Sequence, residues 1–318
     1  MWIACGLAYG MTRLLTPMSM RIATKIGAVD VPRDWRRMHS RAVPRAGGIG
    51  ILLGVLIAWA ALGDGAGENG WITAGYVGFF AIGLVDDVLC LGARSKLMWQ
   101  TGIALLSLWG SGARGAFLLL GCVWVLTLVN SHNMIDGLDG LLVGSVILEG
   151  SALSVVLLLS GLPGGGLSVI TVLACLGFLP FNRYPAKTFS GDCGSESLGF
   201  LMGMLSLPLL QNLSFEIGAL TPLFLFAYPL TDLTAAVLRR LLRGKSPFSA
   251  DRGHLHHRIF DAGVDHARCT VILLTLVGAM GSIGVLLCRP DLWEGAAVAC
   301  LVSVGIMIRL RGYILNFS

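Results

Sequence analysis

Long apolar segments separated by shorter polar ones run along the whole chain. They cover about residues 1–19, 47–63, 70–85, 97–112, 114–130, 140–160, 167–182, 196–211, 218–238, 269–288 and 292–308. About 20 apolar residues in a helix span the hydrocarbon core of a bilayer. The pattern therefore predicts an all-α polytopic membrane protein. We expect a single transmembrane domain over residues 1–318 with about eleven membrane helices, several of them short enough to tilt or to re-enter.

The ninth segment, 218–238, contains Pro222 and Pro229. A proline inside a helix removes a backbone hydrogen bond and kinks or breaks the helix. Broken helices in membranes line polar cavities. The ninth helix is therefore predicted to be broken, with Asp232 near the mouth of such a cavity.

The composition agrees with a membrane location, because 55% of the residues are apolar and only 13% are charged. Soluble domains average about 25% charged residues. The eight cysteines occur singly, without zinc or disulfide spacing, and are interpreted as packing residues. The net charge of +5 raises the question of nucleic acid, but no basic face with interleaved aromatic residues is present. The composition therefore indicates a lipid bilayer as partner and excludes nucleic acid.

Lysine and arginine are concentrated in alternate loops, and this asymmetry predicts the orientation of the chain. All 23 of them except Arg13, Arg114 and Arg289 lie in one set of loops or in the C-terminal tail. The positive-inside rule places that set in the cytoplasm, the N-terminus outside and the C-terminus inside. The first segment lacks a preceding basic region, which favours a retained helix over a cleaved signal. The predicted cytoplasmic loops are about 20–46, 86–97, 131–139, 183–195 and 239–268.

The stretch Asn130–Leu141, NSHNMIDGLDGL, places several polar side chains between two apolar segments. Ionisable groups at a membrane are costly and mark functional sites. If the stretch starts a helix, Asn133, Asp136 and Asp139 recur every third residue and share one face. Oxygen ligands on one face suit a hard cation, and Gly137 lets a ligand approach closely. A polar helix cap is the alternative, although capping requires only one polar residue.

Asp86 and Asp87 end the third apolar segment, on the side that is otherwise rich in lysine and arginine. Adjacent helical residues point about 100° apart, so one carboxylate can face a metal or a phosphate while the other faces a basic partner. Neighbouring carboxylates repel, which raises one pKa and prepares that group to take a proton. An exposed acidic helix end is the alternative interpretation.

Asp192 lies between Gly191 and Gly194, just before an apolar segment. A glycine-rich turn that opens a helix is an anion site, and a carboxylate beside it indicates a divalent ion. An Asp-Gly turn that caps a helix looks similar, so this string alone is weak. The first polar loop adds arginines, Arg41 among them, which a phosphate site and a plain positive-inside loop explain equally well.

The polar stretch after the ninth segment carries Arg240 and three histidines, His254, His256 and His257. Three histidines could bind zinc, but no ligand spacing such as HExxH accompanies them. Hydrogen bonding to a phosphate, or shuttling of a proton, fits better. Glu149, inside the sixth segment, has no evident partner in the sequence and receives no role.

Together these motifs resemble the polyprenyl-phosphate N-acetylhexosamine-1-phosphate transferases, the superfamily of WecA, TagO and MraY. The resemblance runs from Asp30 through His257. It is specific because the DD pair, NxxNxxDGxDGL, GDxGS and HxHH occur in the family's order and spacing. The string HLHHR is similar to the WecA/TagO branch, whereas the MraY branch has three consecutive histidines.

The resemblance implies transfer of N-acetylglucosamine-1-phosphate from UDP-GlcNAc to undecaprenyl phosphate with release of UMP. This reaction is the first membrane step of a cell-envelope polysaccharide pathway. Magnesium is the implied cofactor, with manganese as a substitute. The implied location is the bacterial inner membrane, with the active site on the cytoplasmic face and the chain as monomer or homodimer.

Two alternatives to this reaction stay open. UDP-MurNAc-pentapeptide or another UDP-N-acetylhexosamine is the alternative donor. A secondary transporter is the alternative from another class, although transporters bind near the bilayer midplane and these motifs gather at one face.

The same resemblance assigns roles to individual residues. Asn133 and Asp192 match positions that hold the metal, and Asp86 matches the base that deprotonates the lipid phosphate. Direct attack and an aspartyl-phosphate intermediate both fit this residue set. The implied catalytic residues are Asp86, Asp87, Asp136, Asp192, His254, His256 and His257, and the implied substrate-binding residues are Arg41, Gly137, Leu138, Asp139, Asn182, Phe189 and Arg240. Phe189 is expected in the uridine pocket and Arg240 at the diphosphate.

Overall fold

The computed structural model describes residues 1–30, 42–63, 68–249, 251–295 and 298, and most of them are helical. Ten of the eleven predicted segments lie in helices, since only a helix satisfies the backbone of a single segment in lipid. The eleventh, about 292–308, lies mostly outside the described residues. The helices are α1 Trp2–Ile26, α2 Gly48–Leu62, α3 Glu68–Leu89, α4 Ala93–Gly110, α5 Gly115–Ile135, α6 Leu141–Leu159, α7 Gly165–Asn182, α8 Gly191–Asn212, α9 Phe215–Leu225, α10 Ala227–Leu242, α11 Leu255–Asp261 and α12 His266–Cys288.

These helices support the all-α polytopic class but not the predicted count of eleven crossings. Within the described ranges, six helices are long and apolar enough to cross a membrane, or seven if the bent pair α9 and α10 counts as one span. Helix α2 has only 15 residues. Helix α1 has 25 residues but buries polar Thr12, Thr16 and Ser19. Helices α1 and α2 therefore fall outside the set that qualifies by length and composition.

The ninth segment is broken, as its prolines predicted. Helices α9 and α10 meet at an angle of 81°, with Phe226 at the junction. Pro222 lies in the last turn of α9, and Pro229 lies in the first turn of α10. The two prolines therefore flank the bend.

Several polar stretches that were predicted as loops are helix ends in the structure. Helix α3 carries the DD pair in its last turn, α5 includes residues 130–135, and α8 begins at Gly191. The apolar pattern stops where polar surroundings begin, whereas backbone hydrogen bonding continues beyond that point. A short antiparallel sheet of β1, Val29–Asp30, and β2, Val43–Pro44, was also absent from the all-α prediction.

Helix α8 lies at the centre of the bundle, with α3 and α5 packed against it. A Cβ atom added to Gly83 of α3 would collide with the backbone of Asp192, and one added to Gly199 of α8 would lie 2.7 Å from the Cα of Val129 in α5. Small residues allow helices to approach this closely. These two crossings bring the ends of α3 and α5 beside the first turn of α8.

Candidate active site

The DD pair and the glycine-rich turn are joined by direct hydrogen bonds. The Asp87 carboxylate accepts the backbone N–H of Asp192 at 3.0 Å and that of Cys193 at 3.1 Å. It thereby satisfies two of the free N–H groups at the start of α8, where negative charge is favoured. Gly191 has φ +73°, and a Cβ there would collide with the Arg45 carbonyl. The sequence GDxG therefore permits both the turn and the close approach of the arginine loop.

Two cations bind this pair of motifs. The Arg45 Nε lies 2.9 Å from Asp87, and its Nη2 lies 3.2 Å from Asp192. The Lys96 Nζ lies 2.6 Å from Asp86 and 2.9 Å from Asp192. Burial opposes the charge on Lys96, but the neighbouring carboxylates raise the pKa of its ammonium above the ordinary value. Both cations are therefore charged at neutral pH.

A group of carboxylate oxygens at this place has the composition of a site for a hard cation. One oxygen each from Asp86, Asp192 and Glu196 lie within 4.8 Å of one another, and such oxygens are the ligands of magnesium. Within the described ranges, these three carboxylates and that of Asp87 lie with Arg45 and Lys96, so acidic groups outnumber basic ones there. Unbalanced negative charge in a largely buried cluster is costly, and a divalent cation would offset it. These residues therefore fit a magnesium ion.

The end of α5 contacts the same turn through two serines. The Asn133 Oδ1 accepts the Ser195 hydroxyl at 2.9 Å, and the Asp136 carboxylate accepts the Ser190 hydroxyl at 2.7 Å. Burial raises the pKa of Asp136 to about 7, although the bond from Ser190 opposes this. Asn133 and Asp136 therefore bind serines that precede and follow Asp192 in the sequence.

The prediction that Asn133, Asp136 and Asp139 share one helical face is wrong for Asp139. Helix α5 ends at Ile135, so the stretch ends a helix instead of starting one. The Asp139 carboxylate accepts the Ala186 N–H at 2.8 Å, in the segment before α8, whereas Asn133 and Asp136 accept from serines at the start of α8. The turn after α5 reverses the direction of the backbone, and the threefold spacing no longer keeps these side chains together.

The turn between α5 and α6 lies against the segment that follows α7. The Asn182 Oδ1 accepts the Gly140 N–H at 3.2 Å, and its Nδ2 donates to the Thr188 carbonyl at 3.1 Å. Asp139 and Asn182, both among the implied substrate-binding residues, are thus neighbours at one turn. Leu138 is buried beside them. Phe189 is half-buried, and its carbonyl accepts the Gly47 N–H at 2.9 Å.

The histidine motif adjoins this turn. The His254 Nδ1 lies 2.6 Å from the Asp232 carboxylate, which fixes the start of α11 to α10. A Cβ atom added to Gly137 would collide with the ring of His256. The His256 and His257 rings lie 4.3 Å apart. Burial, with the charges of the neighbouring histidines, lowers the pKa of His256 to about 3, so its ring is neutral at physiological pH.

Arg240, a predicted substrate-binding arginine, is buried, and its guanidinium donates to the Pro247 carbonyl. The other predicted arginine, Arg41, lies outside the described residues. Of the first-loop arginines that the structure describes, Arg45 lies at the acidic cluster.

Sequence reasoning missed several residues of the cluster. Lys96 could have been recognised as a candidate from the sequence, because it is a lysine at the start of an apolar helix. Glu196 was a stronger candidate, since an acid inside an apolar segment is expected to have a function or a partner. Glu149, which had no evident partner, is fully buried and lies 2.9 Å from the Nε2 of His132. Such pairings depend on tertiary contacts between distant segments.

The fold and the site together define an integral membrane protein whose buried acidic cluster is fringed by arginine, lysine and histidine. Residues 70–209 match the model of Glycosyl transferase family 4. The chain belongs to this family, which confirms the resemblance drawn from the motifs.

Three relatives match most of the chain. The probable undecaprenyl-phosphate N-acetylglucosaminyl 1-phosphate transferase of Bacillus subtilis is 34% identical over 93% of this chain and 87% of its own length. The decaprenyl-phosphate N-acetylglucosaminephosphotransferase of Mycobacterium tuberculosis is 32% identical over 90% and 82%. The undecaprenyl-phosphate alpha-N-acetylglucosaminyl 1-phosphate transferase of Escherichia coli K12 is 29% identical over 86% and 80%. The similarity therefore extends well beyond the motifs.

Proposed function

We propose that this protein transfers N-acetylglucosamine-1-phosphate from UDP-GlcNAc to undecaprenyl phosphate and releases UMP. The main support for the proposal is that the four polar motifs, namely the DD pair, the stretch after α5, the GDxGS turn and the histidine motif, are linked by direct contacts. Asp87 binds the turn at Asp192, Ser190 of that turn binds Asp136, and Gly137 packs against His256. The relatives in Bacillus subtilis and Escherichia coli, named for this transfer to undecaprenyl phosphate, support it.

Asp86 is the group best placed to take the proton of the acceptor phosphate. Both oxygens of Asp87 are engaged by the start of α8, and its side chain is fully buried. The Asp86 oxygens also have partners, the Leu91 N–H and the Lys96 ammonium, each at 2.6 Å, but the Asp86 side chain is 11% exposed. A general base must reach the proton that it removes, which favours Asp86, with Asp87 holding the turn.

The remaining charged groups would bind the donor diphosphate. Phosphoryl transfer depends on positioning and charge neutralisation more than on covalent chemistry. Arg45 and Lys96 supply positive charge beside the acidic cluster, and neutral His256 can hydrogen-bond a phosphate oxygen. Arg240 and Arg41 are assigned to the diphosphate and the sugar nucleotide by the family resemblance alone.

A magnesium ion, or manganese in its place, would neutralise charge on the diphosphate and on the departing UMP. Asp192 and Asn133 would hold it, and both lie beside Ser195, whose hydroxyl is 2.9 Å from Asn133 and 3.3 Å from the Asp192 carbonyl. Asp86 and Glu196 place further oxygens close by.

The uridine would bind where the turn after α5 meets the segment after α7. Asp139 and Asn182 are fixed there by backbone hydrogen bonds, and Gly137, Leu138 and Phe189 surround the same turn. The ring of Phe189 offers a face for stacking of the uracil base.

The acceptor's polyprenyl tail would lie along the bent helix pair. A groove of about 510 Å³ follows α9 and α10 and is lined almost entirely by apolar side chains, among them Leu223, Phe224 and Leu230. The eleven crossings are proposed from the apolar pattern, and the cytoplasmic position of the cluster at a bacterial inner membrane is proposed from the distribution of lysine and arginine.

A donor comparison tests this proposal. Purified protein in lipid nanodiscs is supplied with undecaprenyl phosphate, magnesium and one of three donors, namely UDP-GlcNAc, UDP-GalNAc or UDP-MurNAc-pentapeptide. We expect UDP-GlcNAc to give the highest kcat/KM, with UMP and glycolipid formed in equal amounts, and Asp192→Asn to form neither. The highest kcat/KM with the pentapeptide donor would overturn the branch assignment, and no glycolipid with any donor would overturn the reaction.

A further inference from the structure

Glu196 lies one helical turn after Asp192 on α8, and none of the assignments above requires it. Residues four apart on a helix share a face, so both carboxylates point toward α4. The Glu196 side chain is fully buried, and its Oε1 lies 2.5 Å from the Lys96 Nζ. A buried carboxylate is strongly disfavoured without a charged partner, so this ion pair is what allows an acid at this depth in the bundle.

Lys96 is shared among three acids. A lysine ammonium has three N–H donors and no acceptor. The Lys96 ammonium donates to Asp86 at 2.6 Å and to Asp192 at 2.9 Å, and it forms an ion pair with the Glu196 Oε1. The ammonium is therefore paired both with a fully buried acid and with the proposed cation ligand.

We propose that Glu196 is a positioning residue that anchors Lys96 and thereby sets the affinity of the cluster for a divalent cation. This inference rests on the proposed use of magnesium at Asp192. A divalent cation and an ammonium compete for the same carboxylates, since like charges repel at short range. Glu196 offers Lys96 a further partner, so that Asp192 is available to the cation.

Removal of Glu196 has a defined consequence for this competition. In Glu196→Gln, the ammonium loses its deepest partner and pairs fully with Asp86 and Asp192. The divalent cation then has to displace a more tightly held lysine. We expect the affinity for the cation to fall about tenfold, while Lys96→Met, which removes the competitor, raises it.

A direct ligand role for Glu196 predicts different cation affinities for the variants. A ligand contributes to cation affinity whether or not the lysine is present. A residue that acts through Lys96 contributes only while Lys96 is there. The two roles are separated by a double-mutant cycle, which measures whether two residues act independently.

The experiment measures Mn²⁺ binding to the purified full-length protein in nanodiscs, from the electron paramagnetic resonance signal of free Mn²⁺. The proteins are the wild type, Glu196→Gln, Lys96→Met and the double variant. We expect about tenfold weaker binding in Glu196→Gln, tighter binding in Lys96→Met, and a double variant that matches Lys96→Met. Glu196→Asp, which keeps the charge, is expected to retain part of the affinity. Glu149→Gln is the matched control for loss of a fully buried, ion-paired glutamate.

The outcomes distinguish this inference from the proposed function. An equal loss from Glu196→Gln in the presence and absence of Lys96 would overturn the positioning role in favour of a ligand role. Unchanged binding in Glu196→Gln, or an equal loss in Glu149→Gln, would also overturn it. Absence of Mn²⁺ binding to the wild type would reject the metal proposal itself. Thermal unfolding in EDTA identifies variants that fail to fold. If Glu196→Gln fails to fold, Mn²⁺ binding to Glu196→Asp tests the inference in its place.

Discussion

The carboxylate of Asp87 binds the backbone of Asp192 across a separation of 105 residues. One oxygen accepts the Asp192 N–H, and the other accepts the next N–H of α8. The contact joins the last turn of α3 to the first turn of α8 and aligns two motifs that are distant in sequence. It explains why an aspartate follows Asp86 directly, because one acid of the pair is used to hold the turn and the other is left for chemistry.

Asp87→Asn is expected to destabilise the protein by about 1–3 kcal/mol, since an amide nitrogen would face a backbone N–H and leave a buried donor unsatisfied. It should also reduce turnover at least 100-fold, because the turn that carries Asp192 loses its alignment. Thermal unfolding and the glycolipid assay measure the two effects. The matched control is Asp291→Asn, whose carboxylate pairs with Arg289 at an exposed site. A stable and fully active Asp87→Asn protein would contradict this account of the turn.

Asp192→Asn is expected to lower turnover by about 10²- to 10⁴-fold, the usual cost of losing a metal contact or a catalytic group. It should abolish Mn²⁺ binding, because Asp192 is a proposed ligand of the cation. Wild-type protein in EDTA should be equally inactive and should recover when magnesium is added. Full activity after exhaustive chelation would contradict the metal requirement.

Gly137→Ala is expected to reduce turnover at least tenfold, because its Cβ would collide with the ring of His256. Gly102→Ala is the control, since Gly102 is also an exposed glycine and no atom lies within 4 Å of a Cβ placed there. Combination of Gly137→Ala with His256→Ala should restore folding but not activity. Measurement of kcat and KM for the variants checks this. Wild-type kinetics in Gly137→Ala would show that the turn and the histidine motif do not act together.

The pKa of Asp136, raised by burial to about 7, predicts a pH-dependent stability. A carboxyl whose pKa is higher in the folded protein binds its proton more tightly there. Its contribution to stability is therefore lost progressively as the pH rises from about 4 through 7. We expect the wild-type Tm in EDTA to fall over this range more steeply than that of Asp136→Asn. Parallel Tm profiles for the two proteins would contradict the raised pKa.

Cys90 tests the orientation of the membrane protein with a native residue. It is exposed in the turn between α3 and α4, three residues after Asp87. In a variant that retains only this cysteine, a membrane-impermeant maleimide should label inverted vesicles and not intact cells. Ser214→Cys, exposed between α8 and α9, should give the opposite pattern. Labelling of Cys90 from outside the cell would reverse the proposed topology.

The sequence predicted the helices well because each apolar run has one means of satisfying its backbone in lipid. It also predicted the break in the ninth helix, since Pro222 and Pro229 act locally. The ends of helices were less predictable, because α3 and α5 continue through polar residues after the apolar pattern has stopped. Asp139 was misplaced for this reason, as its direction depends on where α5 ends.

The charge pairs of the site could not have been assigned from the sequence. Lys96 and Glu196 are 100 residues apart in the chain, and their contact depends on how α4 and α8 pack. The family resemblance named Asp86 and Asp192 but did not include Lys96, which pairs with both, or Arg45, which pairs with Asp192 and Asp87. A single sequence shows which residues are chemically unusual, whereas only the fold shows which of them share a partner.

The hydrogen bond from Asp192 to Asp87 also bears on biogenesis. During synthesis, the acids at the end of α3 leave the ribosome more than 100 residues before the first turn of α8. Until α8 inserts, Asp86 and Asp87 have only earlier and nearby basic residues, such as Arg45 and Lys96, as partners. The proposed cation site is thus assembled late, and a chain arrested before residue 191 cannot contain it. Synthesis of the first seven helices therefore precedes any capacity for this chemistry.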